Sequence, residues 1–86
     1  MYLAKVYVTP KPAVNDPQGV TVQGALHSLG YAGVKQVRVG KYLELQIDAA
    51  NQIAATAQAE EMCRKLLANP VIEDFRFEVA ELAAAR

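Results

Sequence analysis

Three stretches of this 86-residue chain alternate apolar and polar side chains with a period of two: Tyr2–Thr9, Leu43–Asp48 and Phe75–Val79. Only a strand presents successive side chains to opposite faces, so the alternation demands a sheet that is dry on one side and wet on the other. Between these stretches the spacing changes to three and four residues, the mark of a helix with one apolar stripe. The chain therefore has to fold as an α+β protein.

In the first stretch Tyr2, Ala4, Val6 and Val8 share one face and Leu3, Lys5, Tyr7 and Thr9 the other. Pro10 and Pro12 end it, because proline donates nothing to a ladder. Asp16-Pro17 reads as a helix start, an acceptor at the cap followed by a proline that has no N–H to lose. That helix is expected to run to about Leu29, burying Val22, Ala25, Leu26 and Leu29, with Gly30 as the left-handed stop. Val34–Val39 is expected as a second strand, joined through a tight Gly40-Lys41 turn to a third over Tyr42–Asp48. Asp48 or Asn51 caps a second helix over about Ala54–Ala68, with Ala55, Ala59, Met62, Cys63, Leu66 and Leu67 inward. Asn69-Pro70 ends it. Val71–Val79 is the last strand. Residues 1–80 are expected to form one domain and 81–86 an alanine-rich tail. The order β-α-β-β-α-β implies a two-layer sandwich, a four-stranded, mainly antiparallel sheet with both helices on one face. Its open face is expected to carry Tyr7, Arg38, Tyr42, Glu44, Arg76 and Glu78, with Leu3, Val34 and Ile72 near strand ends.

Composition narrows what such a sandwich can do. Nine basic and nine acidic residues cancel, and no basic stripe tracks phosphates, so nucleic acid is not an expected partner. No apolar run approaches the ~20 residues that span a bilayer, and no secretory leader is recognisable. A cytoplasmic protein is expected, without a membrane. The single cysteine, Cys63, lies in a helical pattern and is expected as a small buried hydrophobe. A thin core without disulfides favours oligomerisation.

No catalytic or metal-ligating constellation is evident. His27, the one imidazole, lacks a nucleophile and an orienting acid at suitable spacing, so packing or an interface accounts for it better than acid–base work. Val37-Arg38-Val39-Gly40-Lys41-Tyr42 sets two cations and a phenol around one turn, suited to a partner's carboxylate or simply an exposed basic hairpin. Asp16-Pro17-Gln18-Gly19 lies where amino-acid-binding modules of this topology take their ligand, but a capped helix start also explains it. Phe75 and Phe77 share a face with Val79 and read as core. Glu60 and Glu61 with Arg64 and Lys65 make i,i+4 pairs on a solvated helix face.

In order and spacing, several segments resemble the small PurS subunits of phosphoribosylformylglycinamidine synthase. They are Val6-Tyr7-Val8, Asp16-Pro17-Gln18-Gly19, Ala25-Leu26-His27-Ser28-Leu29-Gly30-Tyr31, Val37-Arg38-Val39-Gly40-Lys41-Tyr42 and 62–75 from Met62 to Phe75. The likeness lapses over 49–59 and in the tail. It implies a subunit without chemistry of its own, working as a homodimer, with pairing into a tetramer left open. A glutaminase subunit would release ammonia, and a large synthetase subunit using ATP and magnesium would consume it. The chain itself would bind no cofactor. Arg38, Lys41 and Tyr42 at the turn, with Asp16 and Gln18 at the helix start, are the expected partner contacts, followed by Asn69, Glu73 and Asp74. The alternative is an amino-acid-binding regulatory module of ACT type, which shares the β-α-β-β-α-β order.

Overall fold

The computed structural model describes residues 1–82. Strand β1 (Tyr2–Pro10) occupies the centre of a three-stranded antiparallel sheet, between β2 (Lys41–Ile47) and β3 (Glu73–Glu81). Tyr2 stands opposite Ile47 on one side and Glu81 on the other, and Val8 opposite Lys41 and Phe75. This register puts Ala4, Val6, Val8, Leu43, Leu45, Ile47, Phe75, Phe77 and Val79 on one face. Helix α2 (Gln52–Met62) covers that face with Ala55 and Ala59, both fully buried. Small residues there let the helix approach the strands closely, and Val6, Val8, Cys63 and Ala68 form the innermost cluster.

Both helices start as their caps require. Asp16 accepts from the Gly19 amide at 3.0 Å at the head of α1 (Pro17–Ser28). Asn51, rather than Asp48, caps α2 through the Ala54 amide at 2.8 Å. At the end of α1 the Gly30 amide donates to His27 O and the Tyr31 amide to Leu26 O, with Gly30 at φ 99°. That pair of bonds is the Schellman arrangement glycine permits.

Three expectations need correction. Among the described residues the sheet has three strands and not four, because 31–40 runs without strand structure. Side chains hold its backbone instead of a ladder: Gln23 and His27 reach Val34 O, Gln23 also reaches Lys35 O, and Asp16 takes the Val39 amide. With those groups satisfied, pairing gains little. Arg38 and Val34 consequently leave the sheet face, and Ile72 precedes β3. Gly40 makes no hairpin. A Cβ there would collide with Val8 O, so glycine marks a close crossing of β1.

The second correction concerns α1, which does not share the covered face. Among the described residues α2, with Cys63 and Ala68 beyond its end, packs on the strands, and α1 makes no comparable contact. The stripe of Val22, Leu26 and Leu29 is present, but Leu29 is 73% exposed and Val22 41%. The Cα radius of gyration is 16.7 Å, against ~12 Å for a compact chain of this length.

The third concerns the end of the second helix. Cys63–Leu67 is a π-helical turn, closed by the Ala68 amide on Cys63 O at 3.0 Å. The wider turn shifts the phase after Cys63, so Leu67 turns towards the core while Leu66 stands 82% exposed. Strand β3 also runs two residues beyond the expected end, to Glu81. Of the expected tail, 83–86 lie outside the described residues.

Candidate partner interface

The end of the sheet where β1 finishes and β2 and β3 begin gathers the candidate residues. Lys41 and Tyr42 open β2, both exposed. The Tyr42 hydroxyl donates to Glu44 at 2.7 Å, and this bond, with partial burial, pushes the phenol up to about 12. Tyr42 lies 5.1 Å from Tyr7 between ring centroids, and the Arg76 guanidinium covers Tyr7 from the other side. These residues occupy the sheet face turned away from α2, where Glu44, Lys5 and Glu78 form the adjacent cross-strand row.

Arg38 is half-buried and donates to Lys11 O at 2.6 Å and to Pro10 O at 3.4 Å. Asp16 is only 9% exposed and uses both oxygens internally, Oδ1 on the Gly19 amide and Oδ2 on the Val39 amide at 2.8 Å. The Val39 and Gly19 amides hold its carboxyl below the ordinary value, helped by the Arg38 charge and opposed by burial. Gln18, two residues later, is exposed. An open cleft of about 490 Å³ lies alongside, lined by Asp16, Val20, Gln23, Lys35, Val37 and Arg38 among others.

Asn69, Glu73 and Asp74 form the second group. Asn69 Oδ1 accepts from the Val71 amide, and Glu73 Oε1 accepts from the Asn69 amide at 2.7 Å. Asp74 pairs with Lys11 Nζ at 2.9 Å. Lys11 therefore joins both groups: its carbonyl receives Arg38, its ammonium meets Asp74, and its amide donates to Ile72 O. Sequence reasoning missed it, treating it only as a residue between strand-ending prolines. The signal was Pro12, which holds the preceding residue extended and leaves its backbone groups free for such partners.

Among the described residues no three His, Cys, Asp or Glu side chains converge at metal-ligating spacing. His27 Nε2 lies 2.8 Å from Val34 O and holds the 31–40 segment. Cys63 is fully buried, and burial, with Glu60 nearby, raises its thiol pKa. Arg64 pairs with Glu60 at 2.7 Å and Lys65 with Glu61 at 3.4 Å, on the exposed side of α2 and the turn that follows. The arrangement offers shaped, charged surface.

Comparison with known proteins identifies the family. Residues 3–81 match the PurS family model, described as phosphoribosylformylglycinamidine (FGAM) synthase. The phosphoribosylformylglycinamidine synthase subunit PurS of Bacillus subtilis is 54% identical over 84 residues, covering 98% of this chain and 99% of that protein. Its crystal structure superposes with a TM-score of 0.84, covering 94% of this chain and all of that one. The PurS of Methanocaldococcus jannaschii, described as one of the subunits of formylglycinamide ribonucleotide amidotransferase in the purine biosynthetic pathway, is 41% identical at a TM-score of 0.84, covering 96% and 100% of the two chains. A chain in the structure of PurLQS from Thermotoga maritima matches at 28% identity and a TM-score of 0.82, covering 93% and 99%. With a match along almost its whole length, the chain belongs to the PurS family of phosphoribosylformylglycinamidine synthase subunits, proteins of purine biosynthesis.

Proposed function

We propose that this chain is the non-catalytic assembly subunit of its synthase, docking a glutaminase subunit on an ATP- and magnesium-dependent synthetase subunit in the cytoplasm. The observation that carries the reading is the likeness to a chain within the Thermotoga maritima PurLQS structure. Holding two active sites together raises the local concentration of ammonia at the second and keeps it from escaping to water. Such a role asks for surface and rigidity from the small subunit. Lys41, Tyr42, Gln18 and Arg38 supply the main contacts, with Asp16 setting their surroundings and Asn69, Glu73 and Asp74 alongside.

The working unit is a homodimer. Supporting this, the apolar stripe of α1 is uncovered within its own chain and the chain is extended. A large apolar face rarely stays wet, and a second copy offers the covering sheet that α1 lacks. The ACT-type alternative rested on a β-α-β-β-α-β order, which the chain does not have.

Reconstitution tests the proposal. Glutamine-driven amidation by the two large subunits should depend on this chain, while amidation driven by added ammonium salt should not. Equal glutamine-driven rates with and without the chain would refute the assembly role.

A further inference from the structure

Helix α1 leaves the body of the protein without packing on the sheet, so something else must fix its direction. The connection entering α1 and the segment leaving it cross immediately before β2, and the crossing is tightly made. Asp16 Oδ1 binds the Gly19 amide at the helix head, while Oδ2 binds the Val39 amide, 23 residues away and two before β2 begins. Gly19 lies against Val37 O so closely that a Cβ would collide with it, and Gly40 lies as closely against Val8 O. Arg38 ties the same stretch to the end of β1 through Lys11 O.

We infer that Asp16 is a positioning residue, its one carboxylate joining the head of α1 to the start of β2 and thereby setting the bearing of the whole helix. Helix capping alone uses only Oδ1. The bond from Oδ2 is what makes the carboxylate a strut. Its effect on association rests on the homodimer reading, because there the Val22, Leu26 and Leu29 stripe must meet a second copy at a fixed angle. The bearing itself does not depend on that reading.

Serine separates the two roles. At position 16 it can still cap the helix through the Gly19 amide, but it is too short to span to Val39. Asp16→Ser and Asp16→Ala should both lose the carboxylate-shifted Val39 amide resonance. Backbone residual dipolar couplings of α1 should then no longer fit one rigid frame with β1 and β3. Self-association, measured by sedimentation, should weaken roughly tenfold or more in both, the scale of one lost hydrogen bond to a charged group. Gly19→Ala, which keeps Asp16 but forces the crossing open, should change the couplings and association in the same direction, and decides the matter should the Asp16 variants not fold. An Asp16→Ser protein with wild-type couplings and association would overturn the inference, as would a Gly19→Ala protein with both unchanged. A wild-type chain that stays monomeric while Asp16→Ser still frees α1 would refute the homodimer and leave the strut standing.

Discussion

The Arg76 guanidinium carbon lies 4.0 Å from the centroid of the Tyr7 ring, on the sheet face turned away from α2. A cation over an aromatic face gains from the ring quadrupole, and Tyr7 passes the arrangement on to Tyr42 and Glu44. An open face thus acquires an ordered row of side chains without a second layer to press on it.

That row has a spectroscopic signature. Tyr42 should titrate near its raised value of about 12, well above an ordinary phenol at 10.0. Because the folded state holds this proton more tightly, the contribution to stability is complete below pH 10 and is lost as pH rises through about 12. Ultraviolet titration of tyrosinate should show the late step, and Glu44→Gln should move it down. An unchanged titration in Glu44→Gln would contradict the Tyr42–Glu44 bond.

The Asp16 carboxyl titrates in the opposite sense. Its folded value lies below the ordinary 3.8, so its contribution is present above that pH and lost as pH falls through the lower folded value. The acid limb of the melting curve should be shallower in Asp16→Asn than in wild type. Parallel acid limbs would show that the carboxylate bonds to Val39 and Gly19 are not maintained in solution.

Lys41 is exposed at the corner of the sheet. Lys41→Glu should leave stability within about 0.5 kcal/mol. In the reconstituted synthase, glutamine-driven amidation should nevertheless fall about tenfold or more, because reversing a charge opposite a complementary surface is costly. Full glutamine-driven activity in a folded Lys41→Glu protein would remove the start of β2 from the interface.

Cys63 is buried, with its thiol pushed up, so little thiolate exists near neutral pH. An aromatic disulfide reagent should react with the native protein no faster than the protein opens, and at the free-thiol rate after denaturation. Fast native labelling would contradict the burial.

Gly40→Ala places a methyl group against Val8 O, with Thr9 Cα also close. The β1 backbone cannot yield as a side chain would, so the substitution should destabilise the fold by about 1–3 kcal/mol in denaturant titration. Substitution at Gly24, where a Cβ meets nothing within 4 Å, serves as the control and should be neutral or stabilising.

Much of this architecture was legible from residue pattern. The alternation around Val6, Leu45 and Phe77 fixed the sheet and its dry face, and Asp16, Asn69 and Gly30 marked ends of helices. The missing strand was not legible, because Val34–Val39 has acceptable strand residues. What removed it was side chains from α1, Gln23 and His27, together with Asp16, reaching across to satisfy its backbone. The π-helical turn was equally hidden, since Leu66 and Leu67 are interchangeable in an apolar pattern. For the candidate interface, sequence named residues that the fold brings to one end of the sheet. It did not show that Asp16 turns inward or that Lys11 connects the two groups, as both facts depend on pairings 23 and 63 residues apart.

Strand β1 sits at the middle of the sheet and finds both its neighbours far along the chain, β2 beginning at Lys41 and β3 ending at Glu81. The central strand therefore cannot close its second edge until a segment that pairs Pro10 with Glu73 and Tyr2 with Glu81 is in place. Distant pairings of this kind fold slowly. A nascent chain will carry Tyr2, Val6 and Val8 unsheltered on that edge until Glu73–Glu81 has emerged to meet them.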